Sequence, residues 1–135
     1  MRIIFGTLLG ATITHTGDLM LKVLFFKNDS GVEPVREWLI SELDKNDRFI
    51  VGEDIRTLQM NLPAVGMPLV KPMGNGLFEI RSNISDKRIV RTLFCYSSNC
   101  MVLLHIFIKK TQKTPKSDIE LATKRRNSQP KNILD

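Results

Sequence analysis

Residues 76–116 read GLFEIRSNISDKRIVRTLFCYSSNCMVLLHIFIKKTQKTPK. Three apolar runs, at 77–81, 89–96 and 101–108, are dense in Ile, Val, Leu and Phe. Polar, turn-forming clusters at 82–87 and 97–99 separate them. Short apolar runs between turn signals read as strands of a meander. The last run leads straight into Lys109, Lys110, Lys113 and Lys116, and a cationic cluster at the end of a sheet suits a partner with phosphates.

Alternation along each strand assigns faces. Leu77, Glu79 and Arg81 share one side and Phe78 and Ile80 the other. Ile89, Arg91 and Leu93 alternate with Val90, Thr92 and Phe94. Met101, Leu103, His105 and Phe107 alternate with Val102, Leu104, Ile106 and Ile108. With the all-aliphatic set of the last strand in the core, Arg81, Arg91, His105 and Phe107 gather on one open face. A half-covered antiparallel sheet permits such a surface, and a register slip of one residue would reverse a strand's contribution.

Upstream, LKVLFFK at 21–27 reads as a strand ended by Asn28–Gly31. Ser30 and Glu33 fit a capping box, with Pro34 in the first helical turn. Val35, Trp38, Leu39 and Leu43 form one helical stripe, with Trp38 as a core anchor. Asp44 or Asn46 can cap a second helix over 47–60, whose stripe is Val51, Ile55, Leu58 and Leu62. The pair reads as an αα-hairpin laid on the sheet. Pro63, Gly66, Pro68 and Pro72 forbid a helix or a central strand, leaving a loop with an edge strand over 67–70. Lys71 stands at the approach to the sheet, either as a solvated lysine or as a phosphate contact. At the other end Thr114 and Pro115 look like a cap and first-turn proline, and acids early with bases late suit a short, lightly docked C-terminal helix. The fold class is therefore α+β: a small, mainly antiparallel sheet covered on one face.

The chain has 135 residues, 42% of them hydrophobic, which fits one domain with a modest core. Its net charge of +6 is unevenly spread. Residues 71–126 carry twelve Lys or Arg against four Asp or Glu, whereas residues 1–70 carry seven against nine. The basic half coincides with the meander, favouring nucleic acid, then an acidic protein, then a membrane surface. Cys95 and Cys100 bracket a turn and are expected as two reduced thiols in a cytoplasmic protein. No apolar run approaches a membrane span. Residues 1–19, with Arg2 before IIFGTLLGATI, lack a clear small-x-small cleavage site. The expectation is an upstream-start extension, poorly ordered, ahead of a domain at 20–126 and a flexible tail at 127–135.

There is no Gly-rich phosphate loop, nucleophile elbow or metal-ligand pair of His or Cys. Glu79 and Asp86 are too few acids in the sheet region for a two-metal nuclease, so an enzyme built from these residues would work without metal or cofactor. Metal-free RNA cleavage needs a base for the ribose 2′-OH, cations for the phosphorane, and an acid for the leaving 5′-oxygen. Arg81 and Arg91 offer guanidinium forks to phosphate. His105 is the side chain whose ordinary pKa suits proton transfer near neutrality. Lys109, Lys110 and Lys113 grip the strand or supply a proton, and Phe107, or less favourably Tyr96, stacks on a base. Each has a plain structural alternative: a core histidine, an Arg81–Glu79 pair, a solvated strand end, or a basic module that binds RNA or protein without cutting.

The run LLHIFIKKTQKTP, with GLFEIRSN, RIVRTLFC, MLKVLFF and EPVREWL, resembles the RelE/HigB toxin superfamily, in its phage-related HigB-like branch. The resemblance implies a compact α+β RelE-like fold and a toxin of a type II toxin–antitoxin module that cleaves mRNA, free or on the ribosome. It implies a helix-turn-helix antitoxin as partner. It matches Arg81 and Arg91 to the family's strand arginines and Lys109, Lys110 and Lys113 to its motif lysines. The C-terminal histidine or tyrosine of some branches has no clear counterpart here. An inactive prophage remnant is the remaining alternative.

Overall fold

In the computed structural model the described residues are 21–61, 69–97, 99–109 and 113–129. The expected leader, most of the proline-rich loop, Lys110 and residues 130–135 of the tail lie outside them. The described elements are β1 (Lys22–Phe25), α1 (Pro34–Glu42), α2 (Lys45–Asn61), β2 (Val70–Gly74), β3 (Leu77–Asn83), β4 (Ile89–Ser97), β5 (Cys100–Ile108) and α3 (Lys116–Asn127). A single 3-10 turn, Ser85–Lys87, joins β3 to β4. The sheet runs β1-β5-β4-β3-β2. Its β1–β5 pair is parallel and the other pairs are antiparallel. The fold is thus α+β, with a five-stranded mixed sheet.

The two helices after β1 bury their stripes against one face. Val35, Leu39 and Leu43 join Val51, Ile55 and Leu58 over Val23, Ile80, Val90, Phe94, Met101, Leu103 and Ile106. Trp38 packs on the margin of this core. Each large aliphatic side chain fully withdrawn from water contributes roughly 1.5–3 kcal/mol. α1 rests mainly on β5 and β1, and α2 on β3.

Local chemistry at the helix starts departs partly from expectation. The Ser30–Glu33 capping box does not form. Asn28 Oδ1 instead accepts the Ser30 and Val32 amides at 3.0 and 2.9 Å, and Glu33 pairs with Arg36 at 2.7 Å. Asp44 does cap α2, accepting the Asp47 amide at 2.9 Å. The edge strand lies later than expected, at Val70–Gly74, and includes Pro72, which an edge position tolerates.

The second face of the sheet is only partly open. Leu77, Leu93, Cys95, Val102 and Leu104 form a separate core with Phe26 and Ala122 of α3. The last helix therefore closes a third layer. Its Arg125 donates to the Leu104 carbonyl at 2.8 Å, and its Arg126 donates to the Asn75 carbonyl in the β2–β3 turn. Gly76 in that turn has φ +79°, and a Cβ there would meet Arg126 Nη1 at 2.9 Å. Both cysteines are free.

A β-bulge reassigns half of β5. Leu93 faces His105 and Phe94 faces Leu103, so Leu104 is the extra residue. Met101 and Leu103 consequently join the α1/α2 core, while Val102 and Leu104 turn toward α3. Strict alternation predicts the reverse for these four. Past the bulge, Ile106 packs with the first core and Phe107 with the second, as the pattern of the strand's last residues requires.

Candidate functional site

Register brings the predicted side chains together. Lys71 lies opposite Glu79, Glu79 opposite Leu93, and Leu93 opposite His105. In the next row Arg81 lies opposite Arg91 and Arg91 opposite Phe107. Lys71, Arg81, Arg91, His105 and Phe107 thus occupy two neighbouring rows on the face turned away from α1 and α2. The backbones of β3 and β5 are two strand spacings apart, roughly 10 Å, a gap that Arg81 and His105 side chains must span.

A buried carboxylate sits at the centre of the rows. Glu79 Oε1 accepts Arg81 Nε at 2.9 Å and Arg91 Nη1 at 3.0 Å. Its Oε2 accepts the Thr114 hydroxyl. Glu79 is 0% exposed and Arg91 2%, whereas the Arg81 side chain is 21% exposed. Two guanidinium groups on one carboxylate leave an excess positive charge, and withdrawing such charges from water is costly unless hydrogen bonds compensate. The expectation that both arginines stand on an open surface is therefore corrected for Arg91, which lies inside. Arg81 is bonded through Nε, and among the described residues its Nη groups carry no bond.

Thr114 is not the cap of α3. Pro115 is the N-cap residue, with no side-chain cap bond, and Thr114 is buried against Glu79 instead. This contact fastens the residue two places before α3 to the site face. Lys113 beside it is exposed. Lys109 and Lys71 are half-buried. Lys116 opens α3 with its side chain 89% exposed, 4.0 Å from Glu120. Lys110 lies outside the described residues.

His105 has a partner that the sequence reading missed. Its Nε2 is 2.7 Å from Asp118 Oδ1 in the first turn of α3. Its ring stacks on Phe107 with centroids 5.2 Å apart and planes at 25°. With the imidazole neutral, the bond to the carboxylate places the proton on Nε2 and leaves Nδ1 as acceptor. A base held by an orienting acid is the arrangement that proton-transfer chemistry uses. Asp118 reads in sequence only as an acid suited to a helix start, because its contact crosses from helix to strand. Among the described residues no group of three or more His, Cys, Asp or Glu is placed to hold a metal.

Residues 38–127 match the family model described as Phage derived protein Gp49-like (DUF891). The match spans two-thirds of the chain and every candidate residue above. This chain belongs to the Gp49-like family. The family is of RelE/HigB-like toxin type and is associated with toxin–antitoxin systems, which makes an antitoxin the partner class. The comparison with curated proteins finds no match. Among the described residues of this Gp49-like chain no helix is long and apolar enough to cross a membrane.

Proposed function

We propose that this Gp49-like chain is the toxin of a type II module, an mRNA endoribonuclease of the HigB-like branch with a RelE-like fold. It acts in the cytoplasm, on free or ribosome-bound message, and is neutralised by a helix-turn-helix antitoxin. The observation that carries this reading is the shared face of Arg81 and the oriented His105–Asp118 pair, flanked by Lys71, Lys109 and Lys113.

In the proposed reaction the 2′-oxygen attacks the adjacent phosphorus and its proton passes to a base, with His105 Nδ1 as the candidate. The phosphorane is stabilised by the Arg81 Nη groups, with Lys113 as second cation. The P–O5′ bond breaks, the leaving oxygen takes a proton from the Lys113 ammonium, and a 2′,3′-cyclic phosphate remains. Arg91 acts from below, holding Glu79 and through it Arg81. Phe107 stacks on a base, and Lys71, Lys109, Lys110 and Lys116 hold the strand. No step requires a metal.

Primer extension on cellular transcripts tests the reading. Arg81→Ala and Lys113→Ala are expected to relieve growth arrest without loss of fold, and His105→Ala to slow cleavage by about 10²–10⁴. Full toxicity in both single variants and in their double variant would remove the site. The pairing of both strand arginines with Glu79 favours, as a second reading, a basic module that binds RNA or an acidic protein without cutting. Intact transcripts in the wild-type assay would select it.

A further inference from the structure

Beside Arg81 the sheet edge opens into a cleft of about 400 Å³, at the small end of the roughly 300–1,000 Å³ typical of ligand sites. Its described lining is Ile50 and Asp54 of α2, Leu69 just before β2, Arg81 and Asn83 of β3, and Ile89 of β4. The cleft follows from the strand lengths. β2 begins at Val70 opposite Ile80, so β3 continues past it, tied on that side by the Arg81 amide to the Leu69 carbonyl at 2.9 Å. α2 lies along β3 on the other face of the sheet from the Arg81, Asn83 and Ile89 side chains, so the cleft straddles the free edge of β3 with α2 as its second wall.

We propose that this cleft is a nucleobase subsite that selects guanine, placed next to the phosphate held by Arg81; it rests on the RNA-cleavage reading above. Ile50, Leu69 and Ile89 give aliphatic walls for the faces of a flat ring. Asp54 is a pure acceptor. Guanine alone among the four bases presents two adjacent donors, N1–H and the N2 amino group, which match the two oxygens of a carboxylate. Adenine and cytosine set a ring acceptor beside their amino donor, and uracil sets carbonyls on both sides of its N3–H, so each would press lone pairs against Asp54. Asn83 has an amide N–H for the guanine O6. Arg81 uses Nε for Glu79 and turns Nη toward the adjoining phosphate. The state of Asp54 agrees. Burial pushes its carboxyl above the ordinary value, the nearby Ser82 hydroxyl works the other way, and Glu53 adds to the rise. Paired donors would relieve a carboxylate in that position.

The probes are the four ribonucleoside 3′-monophosphates, titrated into the full chain and followed by amide NMR shifts. Guanosine 3′-monophosphate is expected to move Asp54, Leu69, Arg81 and Asn83 and to bind at least about tenfold tighter than the other three, the size of discrimination one bidentate pair supplies. Asp54→Asn, with an unchanged melting temperature, should erase that ranking. Equal affinities for the four nucleotides, or shifts confined to other surfaces, would overturn the subsite. The two readings fail separately. Guanine selectivity with uncut transcripts would remove the cleavage reading and keep the subsite. Cleavage whose base preference survives Asp54→Asn would remove the subsite and keep the nuclease.

Discussion

Glu79 joins three segments of the chain: its own strand through Arg81, β4 through Arg91, and the stretch before α3 through Thr114. Removing it takes the shared carboxylate from two guanidinium groups, one of them 2% exposed. Breaking a buried ion pair from one side costs about 3–5 kcal/mol, so Glu79→Ala should lower the urea-unfolding free energy by that much. Arg81→Ala, at a partly exposed partner that leaves Glu79 still bonded to Arg91 and Thr114, should cost less than half as much. Equal losses in the two variants would show that Glu79 is not the hub. This difference between two strand arginines was not readable in the sequence. Alternation put both on one face, correctly, but it carries no information on which of them the rest of the chain covers.

The turn between β3 and β4 is tied to the start of α2 by Asp47. Its Oδ1 accepts the Ser85 amide at 3.1 Å, and its Oδ2 accepts the Ser85 hydroxyl and Arg88 Nη2, each at 2.9 Å. Burial pushes the Asp47 carboxyl up, but the Ser85 amide and hydroxyl and the Arg88 guanidinium outweigh it, and its pKa falls below the ordinary 3.8. A carboxyl with a lowered folded-state pKa stabilises the fold above its unfolded value, and that contribution is lost as pH falls through the folded value. Asp47→Asn should therefore cost on the order of 2 kcal/mol at pH 7, and the gap from wild type should shrink as acid is added below pH 3.8. A gap that stays constant from pH 7 into that acid range would refute the assignment. The elements themselves were largely legible, since the three meander strands fall within a residue or two of their apolar runs. The failures share one cause. The Leu104 bulge, the unused Ser30–Glu33 box and the diversion of Thr114 from capping all arise where a distant or competing partner outbids a local rule.

Three layers, not two, make up the protein, and α3 is the reason. A basic, weakly apolar helix was expected to dock lightly, yet Ala122 is 0% exposed and the helix shields a second core that includes Cys95. Burial pushes the Cys95 thiol up to about 11, against a smaller pull from Arg126. Of the two cysteines in the chain, Cys100 should react with a thiol reagent at pH 8 in the native state and Cys95 only on unfolding. The Cys95→Ser and Cys100→Ser variants assign the phases, and a native-state Cys95 as fast as Cys100 would mean that α3 does not cover this face. The amino-acid order alone established the strands, the two stripes that bury against them, and the concentration of positive charge in the later half, because each depends on neighbours within a few positions. Packing across the sheet established the rest: that Arg91 is internal, that Asp118 orients His105, and that the face expected to be open is half roofed. Those outcomes depend on register and on contacts between segments far apart in the chain, where the energy of burying a charge or a methyl group is fixed by what arrives from elsewhere.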